Sequence, residues 1–254
     1  SYGSLGFLEE IDKITPENLY TYYKQVINTD YVDIYVVGNL DMDEVSRIVD
    51  KCAKFNVIKN HEVDMYVSNV KRKPVILSDK SSNAQSNIVV LVNLNNLTTD
   101  EKKYAANMYN LILGGGSLET KLYQKLRVEN SLCYNVGSMY QKYDGLIIIT
   151  TSVDINKSNL AVQLIKTCLK EMKTNISDEE LVNAKALAKT SLNMTNDNIG
   201  RIVDNAYYQN ISDLDELDVR LDKFDKVSIN DVKKVAEKTS ISTIYVLEGG
   251  NTNE

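Results

Sequence analysis

Residues Leu113–Asn135 read LGGGSLETKLYQKLRVENSLCYN. Three consecutive glycines, Gly114, Gly115 and Gly116, end whatever regular element precedes them, since each frees the backbone to turn. Ser117 follows as a helix cap, its hydroxyl able to take up an orphan N–H of the first turn. Leu118, Leu122 and Leu126 recur at helical spacing and predict one buried stripe, which leaves Arg127 pointing elsewhere. Asn130 and Ser131 end the helix, and Leu132-Cys133-Tyr134-Asn135-Val136 begins a strand. The stretch is loop, helix and strand, with an arginine near one end of a turn and a tyrosine just beyond it.

Downstream, Tyr134–Gln141 and Gly145–Val153 form a predicted hairpin with Asp144-Gly145 close to its turn. Ser158 opens a helix, and Ser177-Asp178-Glu179-Glu180 is a capping box that opens a long one, to about Met194. Helices continue over Ile199–Asn210 and Leu214–Phe224. Ser228 caps a last helix, and Thr243–Leu247 is a last strand. Upstream, Pro74–Asp79 is a short strand. Asn87–Leu94 is a continuous apolar strand that must be covered on both faces, and Thr98 or Thr99 caps a helix to Leu113. Strands and helices are mixed, with an antiparallel hairpin and clustered helices, so residues 74–254 are predicted as an α+β unit.

Before it, Thr15-Pro16-Glu17-Asn18 starts a helix with Leu19, Tyr22, Tyr23 and Val26 as its apolar set. Val32–Val37 is a predicted strand, and a helix from Asp41 carries Val45, Ile48, Val49, Cys52 and Phe55. Residues 56–73 lose periodicity, gain charge and end in Lys71-Arg72-Lys73-Pro74, which marks a linker and a solvated hinge.

A long-range similarity organises the whole. Ile14-Thr15-Pro16-Glu17-Asn18-Leu19, a helix, then Ile34-Tyr35-Val36-Val37-Gly38, corresponds to Val227-Ser228-Ile229-Asn230-Asp231-Val232, a helix, then Ile244-Tyr245-Val246-Leu247-Glu248-Gly249. The helix starts lie 213 residues apart and the strands 210 apart. A period of that size is a repeated domain. Residues 1–55 are thus expected to be the tail of a first αβ repeat, with its remainder upstream of Ser1, and 74–254 a whole second repeat.

Composition narrows function. With 254 residues, two units or one and a fragment are expected. A net charge of −6 gives no basic stripe for nucleic acid. No apolar run is long enough to cross a bilayer, and the opening SYGSLGFLEEID has neither a basic end nor an apolar core, so no membrane partner and a cytoplasmic location are predicted. Cys52, Cys133 and Cys168 sit in apolar patterns and read as buried thiols, not as a disulfide frame.

The Gly-Gly-Gly-Ser loop, the helix KLYQKLRVENSLCY with its arginine and tyrosine seven apart, the hairpin after it and the repeated ITPENLYTYYK…IYVVGN unit together resemble the pitrilysin/insulinase metallopeptidase superfamily. That resemblance covers nearly the whole chain. It implies a clamshell of two αβ repeats, each a mostly antiparallel sheet packed by helices, around a peptide-sized chamber. It also implies an inverted zinc motif, His-x-x-Glu-His, in the N-terminal repeat. The arginine and tyrosine that the family's C-terminal repeat presents to substrate fall on Arg127 and Tyr134. A tyrosine phenol is a neutral donor at pH 7, suited to a developing oxyanion. A guanidinium offers a rigid fork for substrate carbonyls. Gly114, Gly115, Gly116 and Ser117 are the candidate substrate-binding loop.

No His-x-x-Glu-His occurs here, and His61 is the only histidine. A catalytic zinc needs about three protein ligands, so no metal site is expected in this chain. Zinc is then expected in a missing N-terminal repeat or in the zinc-motif partner subunit of a dimer. The alternative is a catalytically silent scaffold or substrate-binding subunit. A nucleotide-binding loop is a third reading, weakened because no Gly-Lys-Ser/Thr follows the glycines. Singly, Arg127 also reads as a surface residue near Glu129, and Tyr134 as a core strand residue.

Overall fold

The computed structural model describes residues 6–53, 73–212 and 214–250. Its elements are, in order, α1 (Leu8–Ile11), α2 (Pro16–Thr29), α3 (Met42–Cys52), β1 (Val75–Lys80), β2 (Gln85–Leu94), a π-helical turn (Glu101–Ala105) leading into α4 (Ala106–Leu113), and a second π-helical turn (Tyr123–Val128). There follow β3 (Cys133–Gln141), β4 (Leu146–Asp154), a 3-10 turn (Ile155–Lys157), α5 (Ser158–Thr174), α6 (Asp178–Asn193), α7 (Ile199–Ser212), α8 (Leu217–Lys226), α9 (Ile229–Glu237) and β5 (Thr239–Glu248). The chain divides into two compact units, one of Ser1–Asp64 with Asn198–Leu214 and one of Met65–Asp197 with Asp215–Glu254. Helix α7 thus belongs with the N-terminal elements. The predicted linker over 56–73 lies outside the described residues apart from Lys73.

The larger unit holds a five-stranded sheet in the order β1-β5-β2-β4-β3. Strands β1 and β5 are parallel, and the other pairs are antiparallel. This is the predicted α+β architecture of a mostly antiparallel sheet packed by helices. Helices cover one face. Ile88, Val90 and Val92 of β2, Ile147 and Ile149 of β4, and Ile244 of β5 are buried there. They join Met108, Tyr109 and Leu113 of α4, Ile165, Cys168 and Met172 of α5, and Val232, Val235 and Ala236 of α9 in one core. Burying each large aliphatic side chain contributes about 1.5–3 kcal/mol.

The alternation in β2 runs between buried and half-buried. The strand predicted to need cover on both faces is therefore closed on the helix side and open on the other, as an antiparallel sheet permits. The cysteine prediction holds for two residues of three: Cys133 and Cys168 are buried and Cys52 is exposed. Cys52 ends α3, none of whose residues is buried. Desolvation pushes the Cys168 thiol up to about 12.

Helix starts follow their capping chemistry. Ser177 with Glu180 and Ser228 with Asp231 both close capping boxes. Thr98 accepts from the Glu101 N–H at 3.2 Å, while Glu101 accepts from the Thr98 N–H at 2.7 Å. In the smaller unit Thr15 and Asn18 close a fourth box, at the start of the other repeat copy. The two copies then diverge. Ile244–Leu247 lies in β5 between β1 and β2, whereas Val32–Val37 joins no ladder among the described residues. Among the described residues the predicted strand there has no neighbour to exchange backbone hydrogen bonds with, and a strand exists only as part of a sheet. The apolar set of α2 is likewise largely uncovered, with Leu19, Tyr22 and Tyr23 each more than half exposed.

Candidate functional site

The Gly-rich stretch leaves α4 and turns back under β3. Gly114 and Gly115 both donate to the Asn110 carbonyl, at 3.0 and 2.8 Å, and the Gly114 carbonyl accepts from the Ser138 N–H at 3.0 Å. Ser138 Oγ in turn donates to Asn110 Oδ1 at 2.8 Å. A Cβ on Gly114 would stand 2.7 Å from Leu122 Cδ1 and 2.9 Å from the Ser138 nitrogen, and one on Gly115 would stand 2.6 Å from Asn110 Nδ2. These two glycines are required by close packing. Gly116 differs: its φ is +90°, with open space where a side chain would go. Asn110 and Ser138, which pin the loop, carry no sequence signal beyond being polar residues within apolar runs.

The helix after the loop starts later than its sequence predicts. Ser117 Oγ accepts from the Glu119 N–H at 3.1 Å, closing a local turn rather than a helix. The cap is buried Thr120, whose hydroxyl accepts from the Tyr123 N–H at 3.4 Å and whose carbonyl accepts from the Gln124 N–H at 2.9 Å. Leu118 therefore falls outside the stripe and is 66% exposed, while Leu122 and Leu126 are fully buried. The turn widens to π spacing over Tyr123–Val128, with the Glu129 N–H reaching the Gln124 carbonyl at 2.9 Å. Such widened turns recur at functional positions.

Arg127 lies on that widened turn. Its Nη1 donates to the Cys133 carbonyl at 2.9 Å, and its guanidinium carbon lies 5.2 Å from the centroid of the Tyr134 ring. Glu129 bonds instead to Lys125, at 3.1 Å. Strand β3 pairs Cys133 with Val153 and Val136 with Thr151, so it carries one residue more than β4 over this interval. That is a β-bulge, which re-aims side chains. Tyr134 and Asn135 are consecutive exposed residues, and Tyr134 is 82% exposed. Thr151 Oγ1 donates to the Asn135 carbonyl at 2.9 Å, holding the bulge. The surface-pair reading of Arg127 with Glu129 and the core reading of Tyr134 are both excluded. The bulge had a sequence signal, since the buried residues Cys133 and Val136 are three apart where a regular strand spaces them by two.

Beside the pair, on the open sheet face, lies a groove of about 390 Å³. Gly114, Gly116, Ser117 and Leu118 form one wall, Asn135, Gly137 and Met139 of β3 the other, and Ile148 and Thr150 of β4 the floor. Gly115 is not in its lining. Arg127 and Tyr134 are not in it either, although Tyr134 is joined directly to Asn135. The structure thus brings Arg127 to Tyr134, and Gly114, Gly116 and Ser117 to the groove. Among the described residues no group of three or more His, Cys, Asp and Glu side chains is placed to hold a metal ion. They do not supply the three ligands of a catalytic zinc. His61 lies outside the described residues. No described helix is long and apolar enough to cross a membrane.

Comparison with known proteins agrees with this architecture. The chain is 27% identical over 251 residues to a probable inactive metalloprotease, YmfF, of Bacillus subtilis, covering 96% of this chain and 58% of that protein. It is 23% identical over 199 residues to an uncharacterized zinc protease of Rickettsia felis, covering 77% of this chain and 47% of that one. A crystal structure of a conserved protein from Enterococcus faecalis superposes with a TM-score of 0.89 at 22% identity, covering 100% of this chain and 60% of that chain. The chain therefore spans about half the length of the curated relatives it matches. Residues 13–187 match the family described as the peptidase M16 inactive domain, and this chain belongs to that family.

Proposed function

We propose that the chain forms the substrate-facing, metal-free part of a peptidase-like chamber, with Arg127 and Tyr134 as its working pair. The observation that supports this most is the bulge at Tyr134–Asn135, which turns a phenol outward beside a fixed guanidinium. A solvent-facing phenol donates one hydrogen bond to whatever oxygen approaches it. The positive charge stacked beside it favours an oxygen that gains negative charge. The groove next to it accepts an extended peptide: Gly116 leaves its rim clear, and Ser117 offers a hydroxyl. Strand β3 is a sheet edge, but at Ser138 its outward N–H is already taken by Gly114. Backbone pairing with a peptide is therefore blocked at Ser138.

In this reading residues 1–55 are the closing part of a first αβ repeat, 56–73 a linker and 74–254 the second repeat. Zinc is supplied by the rest of a longer protein or by a partner subunit, and the assembly works in the cytoplasm. The test is peptide cleavage and zinc content of the complete protein, purified with any partner. Tyr134→Phe and Arg127→Ala should each lower turnover, by about 100-fold for loss of one transition-state donor. Unchanged turnover in both variants would remove the assignment.

A second reading, favoured by the name of the Bacillus subtilis relative, is a silent subunit that binds peptide or assembles partners without cleaving. Complete protein that binds peptide with neither zinc nor turnover would select it. Turnover without a partner would exclude it.

A further inference from the structure

A second cavity lies in the smaller unit and owes nothing to Arg127 or Tyr134. The segment Tyr31-Val32-Asp33-Ile34-Tyr35 alternates, so that Tyr31, Asp33 and Tyr35 share one side while Val32 and Ile34 take the other. Helix α7 presents Val203, Asp204, Tyr207 and Ile211 at the three- and four-residue spacing of one helical face. The two sets line a cavity of about 340 Å³. Asn210 ties its walls together, with Nδ2 lying 3.3 Å from Asp33 Oδ2 and 3.3 Å from the Tyr35 hydroxyl. The rings of Tyr35 and Tyr207 meet at 86° with centroids 6.2 Å apart, forming a corner.

The chemistry of this lining is one-sided. Aromatic faces carry negative quadrupole charge, and Asp33 and Asp204 add two carboxylates. Among the described residues neither carboxylate has a cationic partner within salt-bridge distance. The volume takes one side chain or a small ion rather than a folded segment. Tyr31 and Tyr207 are each about 40% exposed, so the cavity opens to solvent. An anion would meet two carboxylates, and a neutral apolar group would strip water from both without compensation. A guanidinium or alkylammonium group satisfies both demands at once, lying on the rings while pairing with the carboxylates.

We propose that the cavity bounded by Tyr31, Asp33, Tyr35, Asp204 and Tyr207 is a binding site for an organic cation, the guanidinium or ammonium group of an arginine or lysine side chain being the ligand chemistry it fits.

The test is calorimetric titration of the complete protein with Nα-acetyl-arginine amide, Nα-acetyl-lysine amide and tetramethylammonium, with Nα-acetyl-citrulline amide as the neutral isostere. Saturable binding of the cations is expected, with citrulline weaker by about 10-fold or more, the equivalent of one lost charge interaction. Asp204→Asn should weaken arginine binding by a similar factor of about 10. Binding of the two amides marks a peptide side chain as the source, and binding confined to tetramethylammonium marks a free quaternary ammonium; both support the site. In the unmutated protein the ring resonances of Tyr31, Tyr35 and Tyr207 should shift together during the titration, a readout that needs no variant. No saturable cation binding, equal binding of citrulline, or shifts at other tyrosines only would overturn the proposal.

Discussion

Arg127 Nη1 donates to the carbonyl of Cys133 at 2.9 Å, and this bond fixes the guanidinium over the ring of the next residue, Tyr134. One side chain thus bridges the end of the widened helical turn and the start of β3. A lysine cannot reproduce it, because a point charge on a flexible stem offers no planar fork to bond and stack at once. Arg127→Lys should therefore behave almost like Arg127→Ala in peptide turnover by the complete protein. A variant retaining most of its activity would show that charge alone is sufficient at this position. Tyr134→Phe should leave the melting temperature within about 2 °C of the parent, since changes at exposed positions usually stay within 0.5 kcal/mol.

The three loop glycines separate by mechanism. Gly114→Ala drives a methyl toward the Ser138 backbone at 2.9 Å and Leu122 at 2.7 Å, in a region that cannot give way on both sides. Overpacking of this kind costs about 1–3 kcal/mol. Gly116→Ala meets no atom within 4 Å, and its cost is the strain of a non-glycine residue at φ +90°, about 1–2 kcal/mol. Urea unfolding measures both costs, and amide exchange separates the two mechanisms. Gly114→Ala should also disturb β3 through Ser138, visible as faster amide exchange there, whereas Gly116→Ala should not.

Thr120 takes the capping role that the local pattern predicts for Ser117. Ser117→Ala should change stability by less than about 0.5 kcal/mol, because its hydroxyl closes only a surface turn. Removal of the Thr120 hydroxyl by Thr120→Val should cost about 1 kcal/mol as the loss of a helix cap. Chemical denaturation of both variants checks this order, and a larger loss at Ser117 would restore the cap to it.

What was legible in the sequence follows from where the information is local. The box at Ser177 and the cap at Ser228 depend on residues three apart, and both form as the pattern predicts. The hairpin, the buried side of β2 and the α+β class follow from periodicity and turn chemistry. The helix after Gly116 starts later than its pattern predicts because Ser117 and Thr120 are both competent caps, and tertiary burial of Thr120 selects between them. The stacking of Arg127 on Tyr134 depends on a π-helical turn and a bulge, each an extra residue that shifts the phase of everything after it. Val32–Val37 has all the composition of a strand, yet strand formation needs a neighbour that its own sequence does not contain. The cavity on α7 pairs segments more than 160 residues apart in sequence, beyond any periodic signal.

Glu101 and Lys238 carry the most direct pH dependence. Lys238 Nζ lies 2.6 Å from the Glu101 carboxylate, joining the start of the first π-helical turn to the residue between α9 and β5. Burial pushes the Glu101 carboxyl up, but Lys238 and the Thr98 N–H outweigh it and hold the carboxyl below its ordinary value. A carboxylate depressed in the folded state contributes stability that is present above its unfolded pKa and is lost as the pH falls through the lower folded value. Lys238→Met removes the depressing partner and leaves the desolvation. The variant should be less stable than the parent by about 1–2 kcal/mol near pH 7, the scale of a charge-assisted hydrogen bond. The gap should close as the pH falls through the lowered folded value and Glu101 protonates. Thermal melts of the two proteins at pH 7 and at a series of acid pH values measure how the gap changes. A gap that stays constant with pH would mean that Lys238 acts through the packing of its methylene stem and not through its charge.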